Sequence, residues 1–489
     1  MIFLGVDCGT SALKAVLVDD GERILAASTQ AYLPNHPRPP WSEQNPDDWR
    51  DAMFAALSAL AQEAPAAMRS VAAIGFSGQM HSAVLLDKTD RPLRPAILHN
   101  DARAFAEASE LGRRRPDLAG VLGVEPMAGF TAPKLVWLQR HEPDTFARLD
   151  CVLLPKDYLR LCLTGERATD MSDAAGTWLL DEARRQWSAA ALDACGIDEA
   201  IMPRLAEGTD AIGPVRGEIA DRFGLPRGAI VAAGGGDAAA GAIGIGAVWP
   251  GAALVSLGTA AQLIVATDAY RAAPGRLVHN FAHALPRRWY RMAAMLNGAG
   301  ALAFVARLFD SSPAELEREA ARNYRGPGEI LFLPFLSGER TPHNDPHARG
   351  VFFGLTDSTS RADLVRAAME GVAFTLADAR DCIENGADAI GEVGLIGGGA
   401  KSALWTRIIA AAIERPVIRY RDGEAGPAFG AARLARLAKT GEAAEDLCKA
   451  PVTADVTEPD PALVGAFKPR IERFRSLYRA LKSEFAASS

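Results

Sequence analysis

Short apolar runs separated by polar turns dominate the first hundred positions of the chain. Three such runs lie at residues 2–6, 15–18 and 24–29, and Asp20-Gly21 supplies a turn before the third. Apolar runs of this length, bounded by turn residues, predict consecutive β-strands. The same reasoning predicts strands at residues 71–76, 83–86 and 96–98.

A helix is predicted between these two groups of strands. Asn45 can cap it, Pro46 fits its first turn, and Asp47 and Asp48 place negative charge at its positive end. Strands that alternate with helices indicate an α/β protein with a substantially parallel sheet.

The second half of the chain repeats this design. A buried strand at residues 231–233 ends in three glycines and Asp237, and a helix of small residues follows. Ser360 is placed to cap a long helix that runs to about residue 385. Further strands are predicted at residues 253–257, 263–266, 330–334 and 393–396.

Two Gly-Thr pairs occupy matching places in the two halves. Gly9-Thr10 and Gly258-Thr259 each stand between two predicted strands, and a valine and an aspartate follow both at the same offsets: Val16, Asp19, Val265 and Asp268. A match this short also arises by chance, but a chain of 489 residues exceeds one ordinary core. We therefore expect two related domains, residues 1–246 and residues 247–489.

Composition and charge exclude some classes of function. The formal net charge is -7 at pH 7, so the chain lacks the basic footprint of a nucleic-acid-binding protein, and no nucleic acid partner is expected. Six cysteines without a CxxC pair are typical of reduced thiols in a cytosolic enzyme. His343 and His347 have helical spacing, but the prolines around them predict a loop and not a metal-binding face.

Residues 238–267 carry no charge and are long enough to raise the question of a membrane span. Glycines and the run Trp249-Pro250-Gly251 interrupt this stretch, which favours a buried helix followed by a buried hairpin. Residues 1–6 lack the basic region of a signal peptide. We expect a cytoplasmic protein without a membrane partner.

The Gly-Thr turns are candidates for phosphate binding. A tight turn presents N–H groups without side-chain obstruction, and threonine adds a hydroxyl donor. One turn in each domain would hold a triphosphate from both sides of an interdomain cleft. Asp7, just before the first turn, could hold Mg²⁺ through water, and Lys14 could add positive charge. A simple turn-capping role for Asp7 is the alternative.

The adenine site has a weaker signal. No GxxxxGK[ST] sequence occurs, so the chain is not a P-loop enzyme. The run Gly397-Gly398-Gly399 follows a predicted strand and would let a planar base approach the backbone closely. A plain tight turn explains these glycines equally well.

Asp237 is the candidate general base, because a carboxylate among glycines at the end of a strand is open to a substrate hydroxyl. Phosphoryl transfer to an alcohol needs such a base, a cation on the phosphates and alignment. Met80 and His81 follow the strand at residues 71–76 and offer an apolar and a polar contact for a sugar, and Asp101 ends another strand. A purely structural role for His81 is the alternative.

These pieces, in this order, resemble the FGGY carbohydrate kinases over nearly the whole chain. The likeness rests on long motifs and on both family signatures. The motifs lie at residues 41–44 (WSEQ), 78–81 (GQMH), 130–135 (FTAPKL), 154–159 (LPKDYL), 170–177 (DMSDAAGT) and 337–343 (SGERTPH). The signatures lie at residues 134–138 (KLVWL) and at residues 350–355 (GVFFGL), which lead to Glu370.

The resemblance implies two actin-like, ribonuclease H-type domains that flank a catalytic cleft and close over ATP, Mg²⁺ and a ketose. The ketose it indicates is D-xylulose, converted to D-xylulose 5-phosphate, with Asp237 as the base and Asp7 as the residue that positions metal and phosphate. Met80, His81, Asp101 and Asp237 would contact the sugar. The nucleotide would contact Gly9, Thr10, Ser11, Lys14, Gly258, Thr259, Gly298, Gly399 and Ala400. Family members are often homodimers, although the sequence itself leaves the oligomeric state open.

The chain departs from the pattern of the kinases that act on xylulose where the substrate is recognised. Those kinases have asparagine directly after the base, where this chain has Ala238, and His99 and Ser82 replace a tryptophan and a glycine. Alanine cannot hydrogen-bond a sugar hydroxyl, and one such buried bond is worth about 1–3 kcal/mol. A different pentulose, a deoxyketose or a polyol is therefore the alternative substrate. A non-catalytic sugar sensor and an actin- or chaperone-like ATPase are the alternatives on the same fold.

Overall fold

The computed structural model describes residues 1–322, 324–384, 389–421 and 426–487. Two seven-stranded mixed sheets form its framework, one in each half of the chain, and helices cover their faces. The predicted α/β class with two domain-like halves is confirmed.

The strands of the first half are β1 (Ile2–Cys8), β2 (Ala12–Asp19), β3 (Ile24–Ala31), β4 (Glu43–Gln44), β5 (Val71–Gly78), β6 (Val84–Leu86), β7 (Ala96–Ile97), β8 (Cys151–Leu153), β9 (Ala168–Asp170), β10 (Leu180–Asp181), β11 (Gln186–Trp187), β12 (Arg204–Ala206), β13 (Ala211–Pro214), β14 (Ile230–Ala232) and β15 (Gly235–Gly236). Its α-helices are α1 (Pro46–Glu63), α2 (Pro65–Met68), α3 (Phe105–Arg114), α4 (Thr131–His141), α5 (Pro143–Phe146), α6 (Pro155–Thr164), α7 (Met171–Ala175), α8 (Ala189–Cys195), α9 (Gly217–Phe223) and α10 (Asp237–Gly244).

The strands of the second half are β16 (Ala253–Leu257), β17 (Ala261–Thr267), β18 (His279–Ala282), β19 (Trp289–Met295), β20 (Leu331–Leu333), β21 (Val351–Phe353), β22 (Val393–Ile396), β23 (Val417–Tyr420) and β24 (Thr453–Thr457). Its α-helices are α11 (Ala299–Leu308), α12 (Pro313–Ala321), α13 (Arg361–Glu384), α14 (Ala403–Ile413), α15 (Pro427–Thr440), α16 (Ala444–Leu447) and α17 (Pro461–Ala487). Short 3₁₀ turns cover Pro116–Gly120, Glu199–Ile201 and Gly398–Lys401.

The first sheet has the order β13-β14-β5-β1-β2-β3, and β15 pairs with the far end of β5. Strands β14, β5 and β1 are parallel, whereas β1, β2 and β3 form antiparallel hairpins. The second sheet has the order β18-β19-β17-β16-β22-β23-β24, with its parallel strands at the centre.

The prediction of a substantially parallel sheet therefore holds only for strands joined through helices. Tight turns join β1 to β2 and β16 to β17, and a tight turn can connect only antiparallel strands. Both Gly-Thr pairs lie in these two turns, as the repeated pattern predicts.

Two local predictions are confirmed by the described backbone. Asn45 caps α1, and its side chain accepts a hydrogen bond from the Asp47 amide at 3.2 Å. The uncharged stretch at residues 238–267 folds into α10 followed by the β16–β17 hairpin.

Among the helices that the model describes, none combines the length and the apolar character that a membrane crossing needs. The predicted end of α13 at residue 385 lies outside the described residues.

Helix α15 follows the predicted domain boundary in sequence but packs on the first sheet, against β1, β5 and α10. Glycines make this close approach possible, because a Cβ at Gly5 would collide with the Ala428 carbonyl oxygen and one at Gly75 with that of Ala431. The first sheet is thus covered by α1, α6 and α9 on one face and by α15 on the other. Helices α10 and α15 join the two halves.

Candidate active site

Three strand ends bring the candidate catalytic residues together. In the register of the first sheet, Asp7 on β1 is opposite Ser77 on β5, and Ser77 is opposite Gly235 on β15. Asp237 follows two residues later as the first residue of α10. The Gly-rich run that the sequence singles out therefore ends beside Asp7, although the two aspartates are far apart in the chain.

Both aspartates are partly buried. Burial, together with the negative charge of Asp7, raises the pKa of Asp237 to about 7. Burial likewise raises the pKa of Asp7 to about 6, against the opposing influence of the Ser77 hydroxyl and the Lys14 ammonium. Oδ1 of Asp7 is buried without a hydrogen-bond partner. Two adjacent carboxyl groups with raised pKa values form a site that attracts protons and cations.

Met80 and His81 lie next to this pair and are both buried. The Cγ and Sδ atoms of Met80 lie so near Gly236 that a Cβ there would be 2.9 Å from each. His81 has φ of 70°, which is rare for a side chain other than glycine, and its Nδ1 lies 2.6 Å from the Gly176 carbonyl oxygen. Burial holds the pKa of His81 well below its ordinary value, so the ring is neutral near pH 7.

A buried lysine fixes the backbone at His81. The carbonyl oxygen of His81 accepts hydrogen bonds from Lys134 Nζ and Thr131 Oγ1, each at 3.0 Å. The sequence places Lys134 only inside a family signature. Here it orients the residue predicted to contact the sugar.

The carboxylate of Asp101 is hydrogen-bonded to protein groups. Its buried carboxylate accepts hydrogen bonds from the Ser42 amide at 2.6 Å and from the Arg103 side chain at 2.9 and 2.6 Å. Negative charge on Asp101 also acts on Lys134. Asp101 thus connects to the neighbourhood of His81 through charged neighbours, while its own oxygens are engaged by protein donors.

The first Gly-Thr turn lies beside Asp7 and is held by a polar network. The carbonyl oxygen of Gly9 accepts from Tyr32 Oη at 2.6 Å, and Thr10 Oγ1 donates to Gln79 Oε1 at 3.3 Å. Ser11 is exposed, and Lys14 lies opposite Asp7 in the β1–β2 register. The predicted phosphate-binding residues of the first half therefore form one group around Asp7.

The second Gly-Thr turn lines a large cavity of about 1120 Å³. Its walls also include Asn297, most of α11, and Gly398 and Gly399 of the β22–α14 connection. Among the described residues, only members of the second half line this cavity. Its volume suits a nucleotide.

Gly298 and Ala400 occupy different places relative to this cavity. Gly298 donates its amide to the Thr259 carbonyl oxygen at 2.8 Å, and a Cβ there would lie 2.5 Å from the Ala260 carbonyl oxygen. Gly298 therefore packs behind the Gly-Thr turn. Ala400 lines a neighbouring cavity of about 290 Å³ on the other side of the same connection.

Family models match both halves of the chain. Residues 2–244 match the N-terminal domain and residues 253–438 the C-terminal domain of the FGGY family of carbohydrate kinases. The chain belongs to the FGGY family of carbohydrate kinases. The resemblance inferred from its motifs is confirmed, and the protein is a sugar kinase.

Relatives of this FGGY kinase extend over its full length. The xylulose kinase of Escherichia coli (strain K12) is 44% identical over 98% of this chain and 99% of its own. The structure of a "xyloylose kinase" from Brucella ovis matches with a TM-score of 0.95 at 44% identity, covering 99% of this chain and all of that one. The xylulose kinase of Rhodospirillum rubrum matches with a TM-score of 0.88 at 28% identity, covering 99% of this chain and all of that one.

Two further residues of this FGGY kinase emerge only from the structure. Tyr290 on β19 of the second sheet is buried, its hydroxyl lies 3.9 Å from Met80 Sδ, and it interacts electrostatically with Asp237. Glu339 accepts from the Leu296 amide at 2.7 Å and so supports the cavity wall. Tyr290 lies on an apolar strand of the second half, so the sequence around it predicts only a core residue. Glu339 lies in a motif that gives no hint of its partner.

Proposed function

We propose that this kinase transfers the γ-phosphoryl group of ATP to the terminal hydroxyl of D-xylulose, giving D-xylulose 5-phosphate. The placement of Asp237 beside Asp7, Met80 and His81 carries the proposal for the chemistry. The choice of sugar is supported by the similarity of the whole chain to the Escherichia coli enzyme.

Asp237 is proposed to act as the general base. A carboxylate whose pKa lies near 7 can take a proton from an alcohol as the alcohol attacks phosphorus. The base works in its ionised form, so turnover is expected to rise as the pH passes upward through about 7. Positive charge brought next to Asp7 would move this rise to lower pH.

Asp7 fits a role beside Mg²⁺. Its Oδ1 is a buried oxygen without a partner, which is the kind of ligand that Mg²⁺ takes. No cluster of three or more metal-ligating side chains occurs among the residues the model describes, so phosphate and water oxygens would complete the coordination. Bound there, Mg²⁺ would neutralise charge on the phosphates, and Lys14 and the Thr10 amide would orient them.

The two halves are proposed to divide the substrates between them. Residues 1–246 would hold the sugar and the base, and residues 247–489 would hold the nucleotide in the cavity beside Gly258 and Thr259. Six cysteines, all free, and ATP as donor support a cytoplasmic enzyme. A homodimer is proposed from the family resemblance and is tested by light scattering.

A different pentulose, a deoxyketose or a polyol is the second candidate substrate. Ala238 directly follows the base, is 5% exposed and packs in an apolar cluster. Its side chain offers no hydrogen bond to the hydroxyl that an asparagine would hold, so a substrate lacking that hydroxyl loses little.

One assay tests these proposals. ADP release is measured with D-xylulose, other pentuloses, their deoxy analogues and polyols, and without sugar, for the wild type and for Asp237→Ala. We expect sugar-dependent release that Asp237→Ala lowers by at least about 10³-fold. Near-normal turnover of that variant would remove Asp237 as the base. Absence of sugar-dependent release would favour a sensor, and rapid release without sugar would favour an ATPase.

A further inference from the structure

Helix α7 lies between Asp237, the proposed base, and His81, a proposed sugar contact. It contacts the backbone just before Asp237 and the ring of His81. At its N-terminal end, Ser172 Oγ accepts a hydrogen bond from the Gly236 amide at 3.0 Å, one residue before Asp237. At its C-terminal end, the Gly176 carbonyl oxygen lies 2.6 Å from His81 Nδ1. One short helix therefore contacts both sides of the site.

The direction of the Ser172 hydroxyl is determined by its second partner. Ser172 Oγ lies 2.5 Å from Oδ2 of Asp170, and the Ser172 amide donates to the same oxygen at 2.8 Å. A hydroxyl has one proton, and the carboxylate can only accept it. The lone pairs of Ser172 Oγ are thereby turned towards the Gly236 amide.

Asp170 is in turn anchored in a fully buried charge cluster. Lys156 Nζ lies 2.9 Å from Asp170 Oδ1, 2.5 Å from Asp157 and 3.2 Å from Asp173, and Arg160 contacts Asp157 at 2.9 Å. Burial raises the pKa of Asp173 well above its ordinary value, against the opposing charge of Lys156. Lys156 and Arg160 supply the positive charge that a buried group of acidic side chains requires.

The other side of Gly236 is closed by Met80. A Cβ at Gly236 would lie 2.9 Å from both Cγ and Sδ of Met80. The peptide before Asp237 is thus held between the Ser172 hydroxyl and the Met80 side chain. Neither contact involves the carboxylate itself, which stays available to substrate.

We propose that Ser172 is a positioning residue for the reaction, which fixes the Asp237 carboxylate through the Gly236 amide and transmits the rigidity of the Lys156–Asp170 ion pair. This inference rests on the proposed function, in which Asp237 is the base. Ser172 is buried and its hydroxyl is engaged by Asp170 and the Gly236 amide, so we expect its loss to disturb the alignment of the base and not the binding of either substrate.

The test compares kcat with KM in Ser172→Ala. Because a misplaced catalytic group reduces turnover by up to about 100-fold, we expect kcat to fall by roughly 10- to 100-fold. The KM values for ketose and for ATP should each change by less than about 3-fold. Ser188→Ala is the matched control, because Ser188 is also a buried serine whose hydroxyl oxygen accepts from a backbone amide. It caps α8, with Oγ 3.3 Å from the Ala191 amide. It should lose similar stability and keep its kcat.

A second pair of variants has side chains of nearly equal volume. Ser172→Thr retains the hydroxyl and Ser172→Val lacks it, so we expect the threonine variant to exceed the valine variant in kcat by about 10-fold or more. This comparison also tests the positioning role of Ser172 if Ser172→Ala does not fold. Any one of three results would overturn the positioning role. These are equal kcat in the threonine and valine variants, a kcat for Ser172→Ala within about 2-fold of wild type, and an equal loss of kcat in Ser188→Ala. Loss of activity in Asp237→Ala with wild-type kcat in Ser172→Ala would refute this inference alone.

Discussion

Asp237, the proposed base, has surroundings that we expect to lower the stability of the protein. Burial and the charge of Asp7 raise its pKa to about 7, well above the usual value for aspartate. Below the usual pKa, both the folded and the unfolded protein keep the proton, and nothing is lost. As the pH rises from the usual pKa to about 7, the unfolded state ionises while the folded state keeps the proton, so the protein loses stability.

Asp237→Asn is therefore expected to stabilise the protein at pH 8 by a few kcal/mol, since one pKa unit corresponds to about 1.4 kcal/mol. The gain should shrink as the pH falls towards 4 and vanish there, while sugar phosphorylation is abolished. Urea unfolding at several pH values measures this dependence.

The exposed Asp357 provides the control for this prediction, because Asp357→Asn should change stability little at any pH. If Asp237→Asn leaves stability at pH 8 unchanged or reduces it, the carboxylate is not held in an unfavourable environment. The proposed tuning of the base would then be wrong.

Among the elements, helices α10 and α15 determine where the base lies relative to both sheets. A Cβ at Gly430 on α15 would collide with the Ala240 carbonyl oxygen on α10, so the helices touch backbone to backbone. Arg433 strengthens the contact, donating to Glu22 at 2.7 Å and to the Ile243 carbonyl oxygen at 2.8 Å. Because α10 begins with Asp237, a shift of this helix moves the base.

Gly430→Ala is expected to lower the free energy of unfolding by at least about 2 kcal/mol, because the two backbones must separate to admit a methyl group. Turnover should fall with it. Gly465→Ala on α17 is the control, since Gly465 is helical, exposed and has open space around it. That change should stabilise by up to about 1 kcal/mol. Equal effects of the two substitutions in urea unfolding would contradict the close crossing.

In the whole molecule, the proposed nucleotide cavity and the proposed base belong to different halves. The described lining of the cavity comes from the second half, whereas Asp7 and Asp237 lie in the first. A kinase that stayed open to solvent would pass phosphate to water. We therefore expect the halves to close when both substrates bind.

Small-angle X-ray scattering tests this closure. The radius of gyration should decrease when D-xylulose and a non-hydrolysable ATP analogue are added together, and by more than with either ligand alone. An unchanged radius at concentrations where both ligands are shown to bind would contradict closure by domain movement.

Features that depend on local chemistry could be predicted from the order of the residues. Periodic apolar runs, the cap at Asn45 and the turn-forming Gly-Thr pairs predicted the elements and the two-part plan, because each depends on neighbours in the chain. The Gly-rich end of a predicted strand selected Asp237, and one family motif contains Met80 and His81. These three residues lie close together in the structure. Their catalytic and binding roles stay predictions.

Contacts between distant residues could be found only in the folded protein. The mixed direction of the sheets, the return of α15 to the first sheet and the placement of Tyr290 next to Met80 depend on pairings across hundreds of positions. Ser172 and Lys156 stood in motifs without an evident role until folding brought one to the Gly236 amide and the other to Asp170. Burial raised the pKa values of both aspartates, and burial exists only once the chain has folded, because surrounding atoms from remote segments displace the water.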